Sequence, residues 1–348
     1  MPSCGTLQNC FFIRVFIQGG TVSKPKLYCT HVLFEGPRRL LEEKFDAEFW
    51  AGTDRPSREE VLQRVAGKDA LICLLTEKID RELLDTAGPQ LRIVANVAVG
   101  YDNIDVPACT ERNIAVTNTP GVLDETTADF AWTLLMAVAR RLIEADNLAR
   151  SGKWTKWNLD QLCGTDVWGK TLGIIGFGRI GRAVARRAKG FGMRVIYNST
   201  KRAPEEVEKE VNAEYMSKDQ VLAQSDFLSL HVPLRAETKG LIGPAELAKM
   251  KKSAFLINTT RGPVVQEAAL VEALEKGVIA GAALDVFERE PLISDGLRRD
   301  NVVLAPHLGS ASVETRTRMA GIAAENAIAF FSGKRPPTIL NPEVWRER

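Results

Sequence analysis

The chain reads as an α/β protein of two parallel-sheet domains with a cleft between them. Three observations predict this. Its 348 residues exceed one ordinary domain. From Lys26 onward short apolar runs alternate with helical patterns, the rhythm of parallel strands covered on both faces. A glycine fingerprint, with Gly176, Gly178 and Gly181, opens a second series of such units in mid-chain.

In the first half, strands are expected at residues 27–30, 47–50, 70–75, 91–97 and 114–117, and helices at 37–44, 57–65, 79–87 and 103–112. Ser57 supplies a cap, with Glu59 and Glu60 in the first turn behind it. This part carries no glycine fingerprint of its own, and Thr119-Pro120-Gly121 ends it. Residues 124–151 then read as one long helix, able to cross between domains or line a subunit interface. Residues 153–169 (KWTKWNLDQLCGTDVWG) read as a loop. Its Trp154, Trp157 and Trp168 are either inward packing residues or an exposed arm around a second subunit.

The fingerprint sits where it must to carry meaning, between a strand at 171–175 and a helix, with a second strand at 194–197 closing a Rossmann-like βαβ unit. Gly176 permits the tight turn, Gly178 lets a pyrophosphate approach the backbone, and Gly181 lets helix and strand pack closely. Arg179 and Ile180 begin the helix, whose free N–H groups and positive dipole end face the phosphates. An NAD site has an acid about 20 residues further on, on the ribose hydroxyls. Asn198 stands there instead, followed by Ser199, Thr200, Lys201 and Arg202. Hydroxyls and cations suit a 2′-phosphate, so NADP(H) is expected in preference to NAD(H). Further strands are expected at 227–230, 254–257, 280–284 and 302–304, with helices at 266–276 and 312–331.

Open sheets of this type bind ligands beyond the carboxyl ends of their strands. His231-Val232-Pro233, Thr259-Thr260-Arg261, Asp285 and His307 all occupy such positions. Of the three histidines, His31 and His231 read as strand-end core residues. His307, in a Pro-His-Leu-Gly-Ser loop, can exchange a proton with a carbinol oxygen. Arg261 offers a planar fork for a carboxylate. One of Asp285, Glu288 and Glu290 beside His307 would hold its ring and favour its charged form, and periodicity does not choose among them.

Other function classes fit poorly. A net charge of +2 argues against a broad nucleic-acid footprint, and no apolar run reaches the ~18 residues of a membrane span. Cys4, Cys10, Cys29, Cys73, Cys109 and Cys163 lack metal-binding or disulfide spacing, as expected for free thiols in a reducing cytoplasm. The apolar run at 10–17 is interrupted by Arg14 and makes a poor secretion signal, so residues 1–24 form an extension without an assigned role.

The stretches NVAVGYDNIDV, GIIGFGRIG, INTTRGPVV, ALDVFEREP and LAPHLGSAS resemble the D-isomer-specific 2-hydroxyacid dehydrogenase family over residues 26–333. Within it, the Trp-rich loop, the TTADFAWTLLMAVARR helix and the missing ribose acid look most like the glyoxylate/hydroxypyruvate reductases. The resemblance implies a flavodoxin-like lid (25–118 with 309–335) and an NAD(P)-binding domain (119–308). It implies catalytic roles for Arg261, Glu290 and His307, and a substrate carboxylate held by Val99 and Gly100 with Leu75 nearby. Val232, Pro233, Thr259, Asp285 and Gly309 fall on the cofactor side, and Glu288 is left without a role. The implied activity is NADPH-dependent reduction of glyoxylate or hydroxypyruvate to the D-2-hydroxyacid, in a homodimer built on residues 124–151 and the Trp-rich loop. Relatives in this fold also act on larger 2-oxoacids such as 2-ketogluconate or hydroxyphenylpyruvate. Others, the C-terminal binding protein corepressors, are dinucleotide-sensing scaffolds, against which the basic turn and the lack of long extensions argue.

Overall fold

The computed structural model describes residues 23–346, so nearly all of the extension, with Cys4 and Cys10, lies outside it. Strands β1 (Lys26–Cys29), β2 (Asp46–Phe49), β3 (Ala70–Cys73), β4 (Ile93–Asn96) and β5 (Ala115–Thr117) form a five-stranded parallel sheet in the order β2-β1-β3-β4-β5. Strands β6 (Thr171–Ile175), β7 (Arg194–Asn198), β8 (Ala213–Tyr215), β9 (Phe227–Leu230), β10 (Phe255–Asn258), β11 (Gly281–Leu284) and β12 (Val302–Leu304) form a second parallel sheet, ordered β12-β11-β10-β9-β6-β7-β8. Every residue of β3, β4, β9, β10 and β11 is buried, as a sheet covered by helices on both faces requires. In the larger sheet the chain winds outward from β6 through β7 and β8, then returns to place β9 on the other side of β6. That reversal opens a crevice beyond the carboxyl ends of β6 and β9.

Local chemistry sets the element ends. Ser57 accepts from the Glu60 N–H at 3.2 Å while Glu60 accepts from the Ser57 N–H at 2.7 Å, a reciprocal cap on helix Arg58–Val65. The helix expected at 79–87 begins only at Arg81, because Ile79 is held by backbone bonds to Asn103 and Asp105. For the same reason the helix expected at 103–112 shrinks to Val106–Glu111, capped by Asp105. The long helix expected at 124–151 is two helices, Asp124–Ala139 and Leu142–Arg150. The break falls at Arg141, whose φ of 52° is left-handed, and Thr165 of the returning loop donates its N–H to the Ala139 carbonyl at 2.8 Å. No Gly or Pro marks this break; a long-range bond makes it.

After β12 the chain returns to the first sheet. The final helix, Val313–Phe331, lays Ala320, Ala323, Ala324 and Ala327 against Leu27, Ile72 and Ala95. Among the described residues no helix is long and apolar enough to cross a membrane.

Candidate active site

The glycine turn is built as close packing demands. Gly176 has φ +95°, and a Cβ there would lie 2.4 Å from the His231 carbonyl oxygen. A Cβ on Gly181 would lie 2.2 Å from the Gly176 oxygen, whereas one on Gly178 would meet nothing within 4 Å. Helix Arg179–Ala188 starts after Gly178 with no side-chain cap, so its first N–H groups face open space. Val232 adjoins the turn, within 2.8 Å of the position a Gly176 Cβ would take, and Pro233 follows it. At the end of β10 the Thr259 hydroxyl is buried without a hydrogen-bond partner. An open glycine cradle, an uncapped helix start and an orphaned hydroxyl fit a dinucleotide.

The turn after β7 is less free than its sequence suggests. Arg202, expected to offer its guanidinium outward, has Nε and Nη2 spent on Glu208 at 2.9 and 2.8 Å. The Tyr197 hydroxyl also donates to Glu208, at 2.6 Å, and accepts the Ala203 N–H. Glu208 arrives on helix Glu205–Val211, six residues beyond the arginine, where no strand-end pattern points to it. Lys201, beside the exposed Thr200 and the half-buried Ser199, has no ion-pair partner among the described residues.

His307 follows β12 with a left-handed φ of 57°, a costly conformation for a non-glycine residue unless its surroundings fix it. Its N–H donates to the Asp285 carbonyl at 2.9 Å. The next two N–H groups, of Leu308 and Gly309, donate to the two carboxylate oxygens of Asp285 at 2.6 and 2.8 Å. Asp285 is 1% exposed, and burial pushes its carboxyl up to about 6 against those hydrogen bonds and the His307 charge. It thus anchors the loop that carries His307, a positioning that strand-end logic did not show.

The acid beside the imidazole is Glu290, whose Oε2 lies 2.8 Å from Nδ1 while Oε1 accepts the Phe287 N–H at 3.1 Å. Burial pushes the Glu290 carboxyl up, but the hydrogen bond and charge of His307, the Phe287 N–H and the Arg261 charge outweigh it and hold it below the usual carboxylate range. With Nδ1–H committed to Glu290, the ring presents Nε2 elsewhere. Glu288 accepts the Glu267 N–H at 3.1 Å instead. His231 shares a 2.8 Å hydrogen bond with the Ser229 hydroxyl, and loss of hydration pushes its imidazole down to about 3, so it stays neutral.

Arg261, just past β10, reaches across to the loop after β4. Its Nε donates to Asp102 Oδ1 at 3.0 Å and its Nη1 to the Thr260 carbonyl at 2.9 Å. Nη2 lies so close to Gly100 that a Cβ there would sit 2.0 Å from it, so a side chain at this position would displace the guanidinium. The Val99 and Gly100 carbonyls are turned inward by Asn118 and Asn96, at 2.8 and 2.9 Å. Their N–H groups have no acceptor among the described residues, which leaves two donors beside Arg261. Asp102, Asn96 and Asn118 are additions to the expected set; Asn96 and Asp102 were visible only as part of the NVAVGYDNIDV stretch.

His307 and Glu290 form one wall of a cleft of about 670 Å³ whose opposite wall includes Leu74, Leu75, Thr76 and Val97. The turn carrying Leu75 is pinned by Glu77, which accepts from the Leu74 N–H and the Thr30 hydroxyl, each at 2.7 Å. His31, expected in a core, lies at this cleft too. Elsewhere, Trp154, Trp157 and Trp168 are 57%, 72% and 73% exposed, which excludes inward packing within the chain. No His, Cys, Asp and Glu cluster among the described residues could hold a metal ion.

Comparison with known proteins agrees with this geometry. Residues 132–309 match the model for the D-isomer specific 2-hydroxyacid dehydrogenase, NAD binding domain. The chain is 53% identical over 328 residues to a glyoxylate reductase of Korarchaeum cryptofilum, covering 93% of this chain and 98% of the relative. It is 52% identical over 330 residues to one of Thermococcus kodakarensis, with the same coverage. Among solved structures, a Thermus thermophilus protein superposes with a TM-score of 0.85 at 42% identity, over 90% of this chain and 99% of that one. An NADPH-dependent glyoxylate/hydroxypyruvate reductase of Sinorhizobium meliloti, solved with NADP and malonate, gives 0.82 at 35% identity over 94% and 99%. With a glycine cradle at one sheet's switch point and a carboxylate–imidazole pair and a guanidinium at its other strand ends, the chain belongs to the D-isomer specific 2-hydroxyacid dehydrogenases and is an NAD(P)-dependent dehydrogenase.

Proposed function

We propose that the protein reduces glyoxylate or hydroxypyruvate to the D-2-hydroxyacid with NADPH, using His307 as general acid. The reduced nicotinamide supplies the hydride when bound. Arg261 and the free N–H groups of Val99 and Gly100 bind and orient the substrate carboxylate, and Arg261 polarises the neighbouring carbonyl. Glu290 holds the His307 ring through Nδ1, and the imidazolium gives its Nε2 proton to the alkoxide oxygen as charge develops there. Asp102 draws Arg261 from one sheet to the loop of the other, so a lid (25–118 with 309–335) closing on the dinucleotide domain (119–308) excludes water while the carboxylate fork is assembled.

The observation that carries this reading is the 2.8 Å Glu290–His307 pair in the same cleft as Leu75. The names of the relatives support glyoxylate as substrate. The NADPH preference rests on the absence of a ribose acid at Asn198 and on Lys201, since Arg202 is paired with Glu208. The exposed tryptophans, with Leu159 at 84% and Leu142 and Ile143 also exposed, support a homodimer through helices Asp124–Ala139 and Leu142–Arg150 and the Trp-rich loop.

Steady-state assays with glyoxylate and hydroxypyruvate test the activity: absence of NADPH oxidation with both overturns it. Titration with each dinucleotide tests the preference. Lys201→Glu is expected to weaken NADPH binding at least tenfold and leave NADH binding within twofold; equal losses would remove Lys201 from phosphate recognition.

A further inference from the structure

The final helix ends before Gly333, whose φ of 73° is left-handed, and the chain then turns back to β5, the edge strand of the first sheet. Ile339 pairs antiparallel with Thr117, and the Leu340 N–H donates to the Val116 carbonyl at 2.7 Å. The buried Asn341 side chain accepts the Val116 N–H at 2.8 Å. These contacts cover the edge, but Thr338 reaches further. Its hydroxyl donates to the Asn118 carbonyl at 2.6 Å and accepts from Asn326 Nδ2 of the final helix at 2.7 Å, while its N–H donates to Asn326 Oδ1 at 3.1 Å. Asn118 in turn donates its Nδ2 to the Val99 carbonyl at 2.8 Å, and the Thr119 N–H donates to the Ala98 carbonyl at 2.9 Å. Asn118 and Asn326 are both buried, so each amide depends on the partners it has.

A peptide unit is planar and trans, so its C=O and N–H point in opposite directions. The Ala98 carbonyl shares a peptide with the Val99 N–H, and the Val99 carbonyl shares one with the Gly100 N–H. Holding both oxygens on Asn118 and Thr119 therefore turns both N–H groups the other way, where they meet no acceptor among the described residues. We infer that Asn118 and Thr338 are positioning residues for the substrate carboxylate: the tail fixes Asn118, and Asn118 with Thr119 aims the Val99 and Gly100 N–H groups. This rests on the reading that those N–H groups bind the carboxylate, and it names what aims them. The carboxylate takes no part in hydride transfer and is held before and during it, so lost aim falls on KM more than on kcat.

The test compares the full-length parent with Thr338→Val, which keeps the side chain's size but removes the hydroxyl, and with Thr338→Ser, which keeps the hydroxyl. Glyoxylate kcat and KM, inhibition by oxamate (an unreactive carboxylate of similar shape) and NADPH binding are measured on each. Thr338→Val is expected to raise KM and the oxamate constant together at least fivefold, with kcat within threefold and NADPH binding within twofold, and Thr338→Ser to match the parent. A parent-like KM in Thr338→Val, an equal loss in kcat or NADPH binding, or a serine variant that fails to rescue overturns the inference. Should Thr338→Val fail to fold, Asn118→Asp, which sets an oxygen against the Val99 carbonyl, carries the same expectation and the same grounds for rejection. Hydrogen exchange separates the two claims: with NADPH bound, oxamate is expected to slow exchange of the Val99 and Gly100 amides in the parent and to slow it less in Thr338→Val. No slowing in the parent removes the carboxylate reading and this inference with it; equal slowing in both leaves that reading and removes the inference alone.

Discussion

At the scale of single residues, the site depends on groups that never touch a substrate. Asp285 holds two consecutive N–H groups of the His307 loop, and its carboxyl is pushed up to about 6 by burial. A carboxyl raised above its unfolded value contributes stability that is complete below about pH 4 and lost as pH rises through about 6. Asp285→Asn removes that dependence. The variant's stability relative to the parent is therefore expected to improve from pH 4 to 6 and then level off, as read by urea unfolding across that range; a constant difference would contradict the raised carboxyl. Glu290 runs the other way: its lowered carboxyl contributes stability present above the unfolded value and lost on acidification. His307 and Arg261 were legible in the sequence because each follows an apolar strand in a short glycine-bearing motif. Asp102, Asn96 and Asn118 were not: Asp102 and Asn118 meet Arg261 and Val99, 159 and 19 residues away, and no local pattern announces that Asn96 turns back onto the Gly100 carbonyl.

At the scale of elements, the βαβ unit around Gly176 was legible almost to the residue, because glycine spacing and apolar periodicity both report on it. Gly181→Ala places a Cβ 2.2 Å from the Gly176 oxygen at the tightest point of helix Arg179–Ala188. Overpacking of this kind costs about 1–3 kcal/mol, and the same shift displaces the N–H groups that face the phosphates. Both a lower unfolding free energy and weaker dinucleotide binding are expected, by denaturation and fluorescence titration; an unchanged variant would refute the close-packing role. Strand β8 and the break at Arg141 escaped the sequence for physical reasons. Strand β8 is a three-residue edge strand with exposed Glu214 and Tyr215, which carries no apolar run. The break at Arg141 is made by Thr165, which arrives from the far end of the Trp-rich loop.

At the scale of the whole molecule, two covered sheets meet where their loops carry complementary groups: Arg261 of the larger reaches Asp102 of the smaller, and the Glu290–His307 pair comes from the larger one. The exposed tryptophan arm is the surface on which the proposed dimer rests. Trp154→Ser with Trp157→Ser is expected to shift sedimentation from dimer toward monomer; a parent protein that already sediments as a monomer would contradict the dimer. The role of His307 is tested most directly by single-turnover reduction of glyoxylate by His307→Asn beside the parent enzyme, with NADPH binding measured on both. A loss of roughly 10²–10⁴-fold in the chemical step is expected, with NADPH affinity unchanged within twofold. Turnover at the parent rate would mean that the proton comes from elsewhere and that the Glu290–His307 pair serves only structure.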